Sequence, residues 1–220
     1  MLIGIFGRRY QGKTTLAINV ADDVERRAIL DPRGLVRRPG AVVVRSVGAL
    51  RQAFAALADD DFAELVYTPI ESHPFAFEAF AAELRRWIVE HPDLELAVVV
   101  DEASFYGALD GFDDFMFAIK SCDVERFTTV ITVHRPTELA VDVRALLNRW
   151  AIFRTTQEHD LDVVKKRCGA DVAALVQELT DREYVEWDDD DGTYDVNRSP
   201  FIWYSELTPP GAERSILVLA

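Results

Sequence analysis

Near the start of the chain, the run GRRYQGKTT at residues 7–15 packs two glycines, a lysine and two threonines into one short loop. Gly7, Gly12, Lys13 and Thr14 fall in the spacing G-x-x-x-x-G-K-[ST], the pattern of a phosphate-binding loop. Glycine lets successive backbone N–H groups curl around a phosphate chain with no Cβ in the way. A helix starting near Lys13 adds the positive end of its dipole. In this chemistry Lys13 reaches the β- and γ-phosphates of ATP and the Thr14 hydroxyl binds Mg²⁺. Thr15 is a helix or α-phosphate contact, and Arg8, Arg9, Tyr10 and Gln11 complete the nucleotide-binding loop.

Two further runs end in polar residues suited to the same chemistry. LELAVVVDEAS, 94–104, is an apolar run closed by Asp101-Glu102. The pair suits a metal-side aspartate, acting through water, followed by a glutamate that orients and activates the attacking water. The other reading of the pair is a cap on the next helix. RFTTVITVHRP, 126–136, ends in His134-Arg135-Pro136. His134 is either a γ-phosphate sensor or a solvent-facing histidine at a strand end.

Positioning these groups requires a particular framework. Leu2 to Phe6 reads as a buried strand, followed by a helix from Lys13 to about Arg27. Further strands are expected over 28–30, 41–44, 63–69, 94–104, 126–136 and 149–155, separated by helices over 47–58, 74–90 and about 111–121 and a short one after Pro136. Two short helices follow at 160–169 and 171–180. REYVEW and TYDVN then flank the Asp188–Asp191 run as a hairpin with its tip at Gly192. Alternating strands and helices predict an α/β fold with a mostly parallel central sheet, flanked by helices, and a small C-terminal hairpin extension. The expected division is a core over 1–180 and a hairpin and tail over 181–220. In such a sheet ligands bind at the carboxyl ends of strands, where Gly7, Asp101 and His134 all fall.

Composition narrows the partners. The 220 residues are 49% hydrophobic, enough for a sizeable core. No stretch approaches the roughly 18–20 apolar residues of a membrane span, and MLIGIF lacks the basic start of a signal peptide. Cys122 and Cys168 have no metal-ligand spacing and read as reduced, buried thiols of a cytosolic protein. The net charge of −14 excludes a whole-surface footprint for nucleic acid, leaving a local pore or face as the DNA contact. No Asn-Lys-x-Asp guanine-reading motif is present.

The P-loop, VVVDEAS and ITVHRPTELAVDVRALLNRWAIFRTTQEHDLDVVKKRCG, in that order, resemble the FtsK–HerA superfamily of ATPases over roughly residues 1–170, which implies a P-loop NTPase fold of the ASCE, RecA-like kind. In that family the corresponding strand usually ends Thr-Gln-Arg-Pro. Here it ends Thr132-Val133-His134-Arg135-Pro136, so His134 stands at the sensor glutamine's position. The resemblance implies an oligomeric ring, often a hexamer, that hydrolyses ATP with Mg²⁺ and moves double-stranded DNA. The chain's economy is most similar to the genome-packaging ATPases of double-jelly-roll, internal-membrane viruses. That implies the host cytoplasm or the virion packaging vertex as its place, with a capsid-vertex or membrane protein as partner.

Rings of this kind complete one subunit's site with an arginine from the next. Arg126 is the first candidate, then Arg135 and Arg149, each of which also suits a surface ion pair. Arg33, Arg37 and Arg38, in DPRGLVRRPG, form the best local basic cluster, a DNA or subunit contact or a solvated loop. Two other functions stay open: a small-molecule or nucleotide kinase, and a non-DNA phage assembly ATPase of the Zot-like kind.

Overall fold

The computed structural model describes residues 1–59, 63–70, 73–107, 113–121, 126–198 and 217–219, with backbone alone at 73, 121 and 217–219. The chain order is β1 (Leu2–Phe6), α1 (Lys13–Ala21), β2 (Arg27–Leu30), β3 (Val42–Val44), α2 (Val47–Ala58), β4 (Glu64–Tyr67), α3 (His73–Glu90), β5 (Leu96–Val100), α4 (Asp113–Ser121), β6 (Phe127–Val133), α5 (Val141–Ala145), β7 (Arg149–Phe153), α6 (Glu158–Cys168), α7 (Ala170–Glu178), β8 (Glu183–Asp188), β9 (Thr193–Arg198) and β10 (Leu217–Leu219). Short 3₁₀ turns occupy Ala103–Tyr106 and Pro136–Glu138.

The strands form one sheet in the order β10-β3-β4-β2-β5-β6-β1-β7-β8-β9. Every pairing from β10 to β7 is parallel, and β8 and β9 add antiparallel beyond β7. The expected α/β fold with a mostly parallel sheet is borne out. The continuous apolar runs are explained by burial on both faces. Along β5, Leu96, Val98 and Val100 join one core cluster, and Ala97 and Val99 the other. The first cluster packs α2, α3, α4, α6 and α7 against the sheet through residues such as Phe54, Phe80, Phe115, Val164 and Val176. The second packs the opposite face against α1, through Leu16, Ala17 and Ala21, and against Val36 and Ala41 of the β2–β3 loop.

Two local expectations are corrected. Helix α1 stops at Ala21 rather than continuing to Arg27. After Ala21 the sequence DDVER offers no continuing apolar stripe. Arg27 joins the sheet instead, its backbone N–H donating to the Ala63 carbonyl. The helix after Pro136 is a 3₁₀ turn and then the five-residue α5. The aspartate run forms the β8–β9 turn as expected, with Gly192 at φ +64°. Asp189 there is held by Arg167 at 2.7 Å. The hairpin lies at one edge of the sheet and β10 pairs with β3 near the other. Cys122, the first two residues of the helix expected over about 111–121, and residues 199–216 and 220 of the tail lie outside the described residues.

Candidate active site

Parallel register brings the motifs to one edge. Phe6 pairs with Val133 and Ile152, Val100 with Ile131, and Leu30 with Val100. The residues following these strands, Gly7, Asp31, Asp101 and His134, therefore lie side by side at the carboxyl ends of β1, β2, β5 and β6.

The loop between β1 and α1 is held by its own residue types. A Cβ on Gly7 would sit 2.5 Å from Gln11 Oε1 and 2.6 Å from Phe153 Cβ, so only glycine fits there. Gly12, with φ +98°, turns the chain into α1. Gln11 braces the loop: its Oε1 accepts from the Arg8 N–H, and its Nε2 donates to the Arg154 carbonyl at 3.4 Å. Tyr10, at φ +65°, projects from the loop tip 96% exposed. Lys13 is buried, its Nζ donating to the Arg8 carbonyl at 3.0 Å and lying 3.4 Å from His134 Nδ1. Burial lowers its pKa to about 8, against the pull of Asp101 and Glu102. Burial and the neighbouring Lys13 also lower His134, favouring a neutral ring. Nδ1 then accepts from Lys13 and the ring proton sits on Nε2.

One threonine organises the acidic pair. Asp101 Oδ1 accepts from Thr14 Oγ1 at 2.9 Å and from Thr132 Oγ1 at 2.7 Å. The same Thr132 oxygen accepts the Glu102 N–H at 2.8 Å. Burial raises the Asp101 pKa to about 6, although both hydroxyls oppose the rise. Glu102 takes the left-handed backbone region, φ +47° and ψ +54°, and opens the 3₁₀ turn. Its Oε1 accepts from Arg33 Nη1 at 2.7 Å and lies 3.9 Å from His134 Nε2. Its Oε2 is buried with no hydrogen-bond partner. Among the described residues no group of three His, Cys, Asp or Glu forms a metal cage. The donor set of Thr14 hydroxyl and Asp101 carboxylate fits Mg²⁺, an oxygen-seeking ion that keeps waters and phosphate oxygens in its shell.

The remaining candidates divide between the two ends of the sheet. Arg8 and Arg9 line a cleft of about 240 Å³ with His134, Arg135, Arg154, Thr155, Gln157 and Asp160. Arg8 Nη2 donates to Thr156 Oγ1 at 3.2 Å. Arg135 Nε is bound at 2.9 Å to Asp160, which is 1% exposed and also accepts from Thr137 Oγ1 at 2.8 Å. Thr15 is half-buried on α1. Arg126 and Arg149, by contrast, precede β6 and start β7, at the opposite ends of their strands from the P-loop. Arg126 contacts the Pro92 carbonyl and Asp93, both at 3.2 Å. Arg149 pairs with Asp188 at 3.2 Å and Glu186 at 3.6 Å. In the basic loop Arg33 is on Glu102, and Arg38 is on Asp22 at 2.6 Å and Glu64 at 3.0 Å, while Arg37 is exposed. Sequence reasoning missed Thr132, Asp31 and Asp160. The available signal was a hydroxyl in an apolar strand two positions before His134, or an acid at a strand or helix end.

No protein-family model and no curated protein matches the chain. Solved structures do. The genome packaging NTPase B204 from Sulfolobus turreted icosahedral virus 2, in complex with ATP-γS, superposes with a TM-score of 0.72 at 16% identity, over 91% of this chain and 98% of that one. VirB4 of Thermoanaerobacter pseudethanolicus gives a TM-score of 0.62 at 11% identity, over 93% of this chain and 90% of that one. The resemblance expected from the motifs is borne out in the fold: this is a P-loop NTPase fold shared with a viral packaging ATPase.

Proposed function

We propose that a chain with this P-loop NTPase fold is the subunit of an ATP-hydrolysing ring, often hexameric in kind, that moves double-stranded DNA during viral genome packaging. The observation that carries the reading is the meeting of Lys13, Thr14, Asp101, Glu102 and His134 at one sheet edge, with Glu102 fixed beside Asp101 through Thr132. The match over 91% of the chain to an NTPase that holds an ATP analogue supports the nucleotide class.

In this reading the amides of residues 7–14 wrap the phosphate chain, and Lys13 exchanges the Arg8 carbonyl for β- and γ-phosphate oxygens. Thr14 and Asp101 would hold Mg²⁺, which when bound neutralises charge across those oxygens. Glu102 Oε2, buried and without a partner, takes the proton of the attacking water. His134, neutral, directs Nε2–H toward the γ-phosphoryl group. A carboxylate beside the metal aspartate favours water as acceptor over a substrate hydroxyl, which argues for hydrolysis against a kinase. Arg126 stays the first candidate to act on a neighbour: at the far end of β6 it cannot serve its own P-loop. Arg149 is placed similarly, and Arg135 is engaged by Asp160 within its own chain. Among the described residues no helix is long and apolar enough to cross a membrane. That fits a ring working in the host cytoplasm or docked on a capsid-vertex or membrane protein.

The test is ATP turnover with and without linear double-stranded DNA, across protein concentration at low salt. Stimulation by DNA that rises cooperatively with protein concentration is expected. Turnover independent of concentration and DNA overturns the motor, and γ-phosphate transfer to a small acceptor would replace it with a kinase. Arg126→Ala should bind nucleotide but lose turnover, and mixing it with Lys13→Ala protein should restore activity. Unchanged turnover removes Arg126 from the role.

A further inference from the structure

Tyr10 is the most exposed large hydrophobic side chain among the described residues, 96% exposed at the tip of the phosphate loop. Its backbone is left-handed, φ +65°, a region that a Cβ disfavours. The loop therefore holds an aromatic ring out in solvent at a conformational cost, and the amides that wrap phosphate make no use of the ring. At the opposite end of the sheet a second cleft, of about 240 Å³, opens between the end of α4 and the start of β7. Leu2, Ile119, Phe127 and Leu146 give it an apolar lining, with Lys120 and Thr129 beside them. Lys120 is exposed. Thr129 is 1% exposed, and its hydroxyl is buried with no hydrogen-bond partner. A polar group brought in from outside would remove the cost of leaving that hydroxyl unpaired.

Tyr10 follows the carboxyl end of β1, and the cleft lies at the amino ends of β1, β6 and β7, so one chain cannot join the two. A second copy can. Exposed arginines follow the carboxyl ends of strands, Arg8 and Arg9 after β1, Arg45 after β3 and Arg154 after β7. Exposed acids precede the amino ends, Asp22, Asp23 and Glu25 before β2 and Asp93 and Glu95 before β5. Head-to-tail stacking of two copies brings these opposite charges together. Phe127 of the cleft also directly follows Arg126, the residue proposed above to act on a neighbour's nucleotide. We propose that Tyr10 of one subunit seats in this cleft of the next, its ring against Ile119 and Leu146 beside the Lys120 ammonium and its hydroxyl on Thr129. The contact joins two different surfaces of the same chain, the kind from which rings are built. The proposal rests on the ring reading above and deepens it by naming the contact that holds neighbours together.

The test is sedimentation velocity of the full chain across protein concentration with Mg²⁺ and ATP-γS. It compares wild type, Tyr10→Asn, Leu146→Arg, an equimolar mixture of these two variants, and Phe75→Ala as an exposed aromatic on α3 away from both surfaces. Asparagine accepts the left-handed backbone and removes the ring, and Leu146→Arg fills the cleft. Each variant alone should need about thirtyfold more protein than wild type to assemble, the loss expected when a central aromatic anchor is removed. Phe75→Ala should assemble as wild type does. The mixture keeps one intact ring-and-cleft pair, Tyr10 of the Leu146→Arg chain with the cleft of the Tyr10→Asn chain, and should stop at a dimer. Leu146→Arg should match wild type in melting temperature and in binding ATP-γS. Should it melt early, Lys120→Glu, at an exposed position on the same cleft, replaces it in the mixture. Wild type that assembles beside variants that assemble equally, or variants that stay monomeric both alone and mixed, overturns the seating of Tyr10 and leaves the ring reading standing. Wild type that stays monomeric at every concentration, with nucleotide and linear double-stranded DNA present, overturns the ring reading and the seating together.

Discussion

Asp101→Asn should make the nucleotide- and metal-free protein more stable at neutral pH while removing the ATP hydrolysis proposed for it. Burial raises the Asp101 pKa from 3.8 to about 6. The folded state therefore binds that proton more tightly than the unfolded chain does. Its contribution to stability is fully present below pH 4, declines as pH rises through about 6, and is gone above it. At about 1.4 kcal/mol for each tenfold difference in proton affinity, ionised Asp101 costs the folded protein about 3 kcal/mol at neutral pH. Asparagine removes the charge. Its Oδ1 keeps both hydroxyl bonds, since Thr14 and Thr132 donate to the same oxygen. Its amide NH₂ then stands where Oδ2 stood and must find an acceptor, which reduces the gain to about 1–2 kcal/mol, or roughly 3–6 °C in Tm. Urea unfolding in EDTA, from pH 5 to pH 8, is the assay. The wild-type and variant curves should diverge as pH rises, with the variant above. Parallel curves, or a variant less stable at pH 7.5, would refute the reasoning.

Gly7→Ala should abolish nucleotide binding while leaving the fold intact, because the added methyl meets Gln11 and Phe153 at 2.5–2.6 Å and displaces the loop; isothermal titration against ATP-γS checks it. Thr132→Val keeps the volume but leaves the Glu102 N–H unpaired and strips Asp101 of one donor. A stability loss of about 2–4 kcal/mol is expected, with turnover falling far more than nucleotide affinity, read by denaturation and steady-state kinetics. Asp160→Asn should loosen Arg135 and Thr137 from α6 and cost about 2 kcal/mol. Equal urea midpoints for variant and wild type would count against that clamp.

The phosphate loop was legible because its backbone geometry dictates residue identity: Gly7 has no room for a Cβ and Gly12 has positive φ. Asp101, Glu102 and His134 were legible as polar interruptions at the ends of doubly buried strands, and the pairing of β5 with β6 sets those ends side by side. The rest depended on contacts without a spacing rule. Thr132 in FTTVITV reads as β-branched filler, and only the fold turns its hydroxyl onto two acidic residues 30 and 31 positions away. The Arg33–Glu102 pair joins residues 69 positions apart, which no local pattern encodes. Composition recognised the basic loop at 33–38 but could not say that Arg33 faces inward and Arg38 is spent on Asp22 and Glu64. The end of α1 was overrun because charged residues after Ala21 do not in themselves forbid a helix. What stopped it was the demand of β2 for a partner on β4.

The single hydroxyl of Thr132 has a mechanical consequence. Donor to one carboxylate and acceptor from the backbone of the next residue, it references both to the same oxygen on β6. In the proposed hydrolysis, in-line attack depends on where Asp101 and Glu102 stand relative to each other, and much less on where either stands relative to the protein at large. When β6 shifts, the Asp101 carboxylate and the Glu102 backbone follow the same oxygen, and the displacement is common-mode. The chain can thus deform around the site without detuning it.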